Sequence, residues 1–200
     1  KTVLELGGSD PFIILSDANI FQACEDGVFA RLQNAGQSCI SAKRFIVVED
    51  RYEEFLDNFV RTWQSMTIGN PLDENTKVGP LSSEKAMLEV DRQVQKSIAL
   101  GAKVLTGGKQ WGSEGFFYEP TILVNVKKGM PVYDEEVFGP VAAVIKVADA
   151  TEAINVANDT RYGLGASLWT EDLSLAKELV GKIEAGCVFV NTIVKSDPRL

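Results

Sequence analysis

Short aliphatic, β-branched runs alternate with amphipathic stretches along most of these 200 residues, and no other feature constrains the fold as strongly. "KRFIVVED" has the composition of a strand, and "RYEEFLDNFVRTWQSM" after it sets Phe55, Phe59, Trp63 and Met66 on one helical face. Upstream, Ser16 or Asp17 can cap a helix whose apolar positions Phe21, Cys24, Val28 and Leu32 follow the i, i+3, i+4 rule. A further helix carries Met87, Val94 and Ile98, and the strand-like "AKVLTGG" and "EPTILVNV" flank the Gly-rich loop "GGKQWGSEG". Beyond Gly139-Pro140 come the strand "VAAVIKVA", a helix around Ala153, Ile154 and Ala157, the strand "GASLWT", a helix with Leu175, Leu179 and Ile183, and the strand "CVFVN". Strand followed by helix predicts an α/β fold, a largely parallel sheet flanked by helices, forming one domain over residues 1–200. In such sheets the working residues are expected on loops at the carboxyl ends of the strands.

Charge narrows the ligands. A net charge of -8 and a pI near 4.7 disfavour nucleic acid and acidic membrane surfaces, which need a basic face, and leave small molecules. No apolar run reaches the length of a membrane span, and "KTVLELGG" lacks the layout of a signal peptide, so a cytoplasmic protein is expected. The three cysteines are widely spaced, without a C-x-x-C pair, and the chain has no histidine, which disfavours both a disulfide framework and a structural zinc site. Cys24 falls on a helical apolar stripe and Cys187 in an apolar run, so both read as core. Cys39 differs: "QNAGQSCISAKR" places it on a Gly-preceded loop between a helix and a strand.

A reactive Cys39 needs a base that is not an imidazole. Glu5, between two leucines in "LELGGSDPFIIL", is a candidate, because a desolvated carboxyl moves toward the range useful to a general base. A lone Glu in such a run is more often a half-exposed strand residue. Gly7-Gly8 allows close backbone approach to a ligand but lacks the spacing of a dinucleotide fingerprint. Taken alone, Glu135 and Glu136 read as a solvated acidic pair and Phe138 as a core anchor.

Four motifs in order, "LELGGSDP", "NAGQSC", "EEVFGPV" and "NDTRYGLGASLWT", resemble the aldehyde dehydrogenase superfamily, and the resemblance extends from the first residues past Asn191. "LELGGSDPFIIL", "AKRFIVVED" and "VNTIVKSDPRL" are most similar to its bacterial succinate-semialdehyde branch. The resemblance implies the catalytic domain of that fold, oxidation of an aldehyde to the acid, and NAD or NADP as cofactor. It implies Cys39 as the nucleophile that forms a thiohemiacetal and then a thioester, with Glu5 as general base and the Cys39 N–H as one oxyanion donor. Glu136 would hold the nicotinamide ribose, with Phe138 and Gly7 beside it. Lys195, Ser196 and Arg199, near the implied mouth of the substrate tunnel, could hold a substrate carboxylate or else form a solvated polar loop. The resemblance also implies that a nucleotide-binding domain and a C-terminal oligomerisation segment are absent from this chain. The whole protein would then be a homo-oligomer, and these 200 residues alone would not reduce a cofactor. Other readings are an acylating semialdehyde dehydrogenase using coenzyme A or phosphate, a thiol hydrolase, and a non-catalytic scaffold.

Overall fold

The strands order as β3-β4-β5-β2-β1-β6-β7 in one sheet, parallel throughout except where β3 meets β4. In chain order they are β1 (Asp10–Ile14), β2 (Ala42–Val48), β3 (Lys103–Thr106), β4 (Thr121–Val124), β5 (Val141–Val147), β6 (Gly165–Trp169) and β7 (Cys187–Val190). The helices are α1 (Ile20–Leu32), α2 (Glu49–Gln64), α3 (Glu84–Ala99), the single turn α4 (Pro131–Asp134), α5 (Ala150–Asn158) and α6 (Leu173–Val180). This computed structural model describes residues 6–196. Among the described residues no helix is long and apolar enough to cross a membrane.

β1 and β2 are buried along their whole length, as parallel central strands covered on both faces must be. β1 is the strand that periodicity did not single out, because a fully buried strand loses the alternation that marks a half-buried one. α2 lays Phe55, Phe59 and Trp63 in a row against β2, with ring centroids 4.7 Å apart for Phe45 and Phe59 and 5.2 Å for Phe59 and Trp63.

Three local expectations are corrected. Asn19, not Ser16 or Asp17, caps α1, its side chain accepting from Gln22 N at 3.1 Å. Asp17 instead accepts from Thr170 Oγ1 (2.6 Å) and Asp172 N (2.7 Å), tying the end of β1 to the end of β6. Phe21 is 65% exposed, because the buried face of α1 runs through Ala23, Cys24, Gly27, Val28 and Arg31 instead. Cys187 is exposed rather than core: it opens β7 at the sheet edge, where one side has no neighbouring strand among the described residues.

Candidate active site

α1 delivers the chain to Cys39 through a 3-10 turn, Gln33–Gly36, in which Asn34 (φ 52°), Ala35 (φ 53°) and Gly36 (φ 74°) are all left-handed. Ala35 carries a steric cost of about 1–2 kcal/mol there, so surrounding contacts must hold the turn. Gln37 supplies some of them: its amide nitrogen donates to Asn34 O (3.0 Å) and its side-chain oxygen accepts from Ser82 N (2.8 Å). Gly36 faces the loop before β5 so closely that a Cβ would lie 2.2 Å from Gly139 O. The fully buried Arg31 joins the same loops, donating to Val141 O (2.6 Å), Val137 O (2.7 Å), Gly139 O and Ser41 Oγ (2.7 Å).

Three loops then meet in one open cleft of about 460 Å³, lined by Leu6, Gly7, Gln37, Ser38, Cys39, Glu136 and Phe138. Each loop enters the amino end of a parallel strand: Gly7-Gly8 precede β1, Cys39 precedes β2, and Glu136 and Phe138 precede β5. The expectation of a site at the carboxyl ends is therefore wrong for Cys39. β1, β2 and β5 are adjacent and parallel, so their amino ends share one edge of the sheet, and Cys39 lies on the helix-to-strand connection reaching that edge.

Cys39 is half-buried, and among the described residues its backbone N–H donates no hydrogen bond. Beside it, Glu136 Oε1 accepts from Gly8 N at 3.0 Å and lies 3.9 Å from Lys43 Nζ. The Glu135-Glu136 segment is not a free acidic pair. Glu135 Oε2 accepts from Arg92 (2.7 Å) and Gln93 (2.9 Å), Glu136 O accepts from Gln93 (3.1 Å), and Glu136 N donates to the Tyr162 hydroxyl (3.2 Å). Phe138 is 44% exposed in the cleft and anchors no core.

Beneath the cleft is a buried polar floor that sequence reasoning missed. Lys43 Nζ donates to the carbonyl oxygens of Ser38 (3.1 Å), Cys39 (3.0 Å) and Ser41 (3.0 Å). Burial pushes its pKa down to about 7, and Arg31 adds to that, while Asp10, Glu136 and Cys39 pull it back up. Asp10 Oδ1 accepts from Gly165 N (3.2 Å), but Oδ2 has no partner among the described residues, and burial lifts the carboxyl to about 7 against the pull of Lys43. Arg44 donates to Ser9 O (3.0 Å) and to Val156 O (2.7 Å) and Ala157 O (2.9 Å) at the end of α5. A signal was available: Lys43, Arg44 and Asp10 are charges inside otherwise apolar strand sequences, where an exposed position is hard to find.

The aldehyde dehydrogenase family profile matches residues 1–200. The chain belongs to the aldehyde dehydrogenase family. It is 47% identical over 199 residues to an NADP-type succinate-semialdehyde dehydrogenase of Mycobacterium ulcerans, covering 100% of this chain and 43% of the relative. Among solved structures, a Streptococcus pyogenes succinic semialdehyde dehydrogenase in complex with NADP+ superposes with a TM-score of 0.94 at 41% identity, covering 98% of this chain and 43% of that one. A lactaldehyde dehydrogenase from Escherichia coli gives 0.93 at 34% identity, covering 96% and 41%. The chain thus spans less than half the length of these relatives.

Of the residues that resemblance to this aldehyde dehydrogenase family implicates, Cys39, Gly7, Glu136 and Phe138 share the cleft. Glu5 and Arg199 lie outside the described residues. Lys195 and Ser196 are exposed and do not line the cleft at Cys39.

Proposed function

We propose that this chain provides the thiol-bearing part of an aldehyde dehydrogenase that oxidises succinate semialdehyde to the acid with NADP or NAD. The observation that carries the reading is the cleft itself: a half-buried Cys39 whose backbone N–H is unengaged among the described residues, facing a carboxylate and an exposed ring. The substrate assignment is supported by the names of the relatives from Mycobacterium ulcerans and Streptococcus pyogenes.

Cys39 Sγ attacks the aldehyde carbon, and the electron pair of the carbonyl moves to oxygen, where the Cys39 N–H is available as donor. Glu5 takes the thiol proton, or later a proton from the water that hydrolyses the thioester. The residues present fit a nicotinamide cofactor: Glu136 offers a carboxylate for ribose hydroxyls, Phe138 an exposed ring beside it, and Gly7 has no side chain to stand in the way. A Cβ at Gly7 would lie 2.7 Å from Glu136 Oε2. When bound, the nicotinamide supplies the hydride acceptor that the oxidation requires. Holding a ribose would require Glu136 to give up or share its bond to Gly8 N. Ser196 and Arg199, with Lys195, are the proposed hold on the far carboxylate of the substrate.

A thiol hydrolase would need Cys39 but no cofactor. The complete protein that carries this chain should reduce NADP or NAD with succinate semialdehyde, and Cys39→Ala should abolish it. Ester hydrolysis without any aldehyde-dependent reduction of either cofactor would favour the hydrolase and overturn the reading.

A further inference from the structure

We propose that Lys43 is a positioning residue for the chemistry at Cys39: its ammonium, fixed under the nucleophile loop, holds the two peptides flanking Cys39 so that the Cys39 N–H faces the reacting oxygen. The inference rests on the dehydrogenase reading for its biological reaction, but its geometry concerns any acyl transfer to Cys39.

The Ser38 carbonyl and the Cys39 N–H belong to the same planar trans peptide, in which C=O and N–H point in opposite directions. Lys43 Nζ takes that carbonyl at 3.1 Å from below, and Ser41 N donates to it as well at 3.3 Å. With the oxygen pinned on the floor, the N–H is turned away from the floor and left without a partner among the described residues. The next peptide is fixed too, since Lys43 Nζ donates to Cys39 O at 3.0 Å. A cation on the carbonyl side of a peptide also polarises it and makes its N–H a better donor.

The contacts specify an ammonium. Ser38, Cys39 and Ser41 each present one carbonyl, and only the protonated amine has a hydrogen for each. The charged groups that act on it are Asp10 from β1, Glu136 from the loop before β5, Arg31 from α1 and Cys39 itself. Lys43 is 2% exposed and does not line the cleft, so it acts through the loop and not by touching substrate.

The test compares two reactions of Cys39 in the complete protein carrying Lys43→Met or Lys43→Gln. With p-nitrophenyl acetate the thiolate adds to the ester carbon, the carbonyl electron pair moves to oxygen, and p-nitrophenolate leaves as the carbonyl re-forms. Water then hydrolyses the thioester. Alkylation by iodoacetamide forms a C–S bond and expels iodide with no charge developing on a carbonyl oxygen. Lys43→Met should slow the acylation burst by about 10²-fold, the scale for loss of one oxyanion donor, with KM within about two-fold. The alkylation rate per thiolate, measured at the same pH as the acylation, should fall by less than about three-fold. Lys43→Gln, which keeps two N–H donors, should recover part of the acylation rate and serves if the Met variant folds poorly. Acylation within two-fold of the parent, or equal losses in both reactions for both variants, overturns the positioning role. Cofactor reduction by the unmutated protein is measured alongside: its absence with intact, Lys43-dependent acylation would count against the dehydrogenase reading and in favour of Lys43.

Discussion

Gly8 lies against the backbone of Cys39, so closely that a Cβ built on Gly8 would sit 2.3 Å from the Cys39 carbonyl oxygen. The Cys39 loop and the segment leading into β1 are therefore in register only while position 8 is bare. Gly8→Ala should move the Cys39 peptide by a substantial fraction of an ångström, and a misplacement near 1 Å can cost about 10²-fold in rate. The overpacking itself should cost about 1–3 kcal/mol. Ester acylation and urea unfolding, measured on the same preparation, check both; an Ala variant with parental acylation would show that the loop has room to yield.

Cys24, Cys39 and Cys187 should separate in a labelling experiment on the folded protein. Cys24 is buried between α1 and α2, its thiol pushed up to about 12 by burial, so it should stay unmodified until the protein unfolds. Cys187 is exposed, but desolvation of its thiol and the charge of Asp10 raise its pKa, and its Sγ lies 3.6 Å from Leu164 O. Iodoacetamide at pH 7.5 should modify Cys39 first, Cys187 more slowly and Cys24 last, as read by peptide mass spectrometry. Native-state labelling of Cys24 at the rate of Cys39 would contradict the packing of α1 on α2.

The sheet was legible where its helices are one-sided and its strands are bounded by Gly and Pro. α2 is an example: Phe55, Phe59 and Trp63 announce both the helix and the face it buries. β1 was not, because a strand buried on both faces shows no alternation, and Asp10 at its start looks like a turn residue. Cys39 could be placed on a loop from its own neighbours, yet Glu136 lies 97 positions further along, and nothing local says that they meet. Lys43 stood out as a charge in an apolar strand sequence, but what it holds was hidden for another reason. Its charge is consumed by carbonyls of its own preceding loop, and backbone acceptors leave no trace in a sequence.

Glu136 should act on cofactor reduction rather than on Cys39 acylation. Its carboxylate takes Gly8 N, and its backbone is held by Gln93 and Tyr162, so Glu136→Gln keeps the segment in place and removes only the charge. Cofactor reduction should fall by about 10²-fold through misplacement, while p-nitrophenyl acetate hydrolysis changes by less than about three-fold. Equal losses in both would assign Glu136 to the thiol.

Ser196 offers a check on substrate choice. Ser196→Ala should raise KM for succinate semialdehyde by about tenfold, the scale of a charge-assisted hydrogen bond, and leave an uncharged aliphatic aldehyde nearly unaffected. The same rise for both substrates would remove Ser196 from recognition of the carboxylate.

Asp10 and Lys43 should make stability depend on pH in opposite senses. Burial raises Asp10 from 3.8 to about 7, so between those values the folded protein keeps a proton that the unfolded chain has released. The stability this contributes is full below about 4 and is lost as pH rises through about 7. Lys43 is lowered from 10.5 to about 7, so across that window the unfolded chain binds the extra proton, and stability rises with pH. Together the two groups place a trough near neutral pH. Asp10→Asn keeps an acceptor for Gly165 N but cannot titrate, so it removes the falling limb. The urea midpoint of the parent relative to the variant should therefore be most favourable near pH 4 and should decline toward pH 7. Removing the Asp10 charge also takes away one of the pulls that hold Lys43 up, so the rising limb in Asp10→Asn should begin at a lower pH than in the parent. A difference between parent and variant that stays constant from pH 4 to pH 8 would mean that the Asp10 carboxyl is hydrated in the folded protein, against its burial at the amino end of β1.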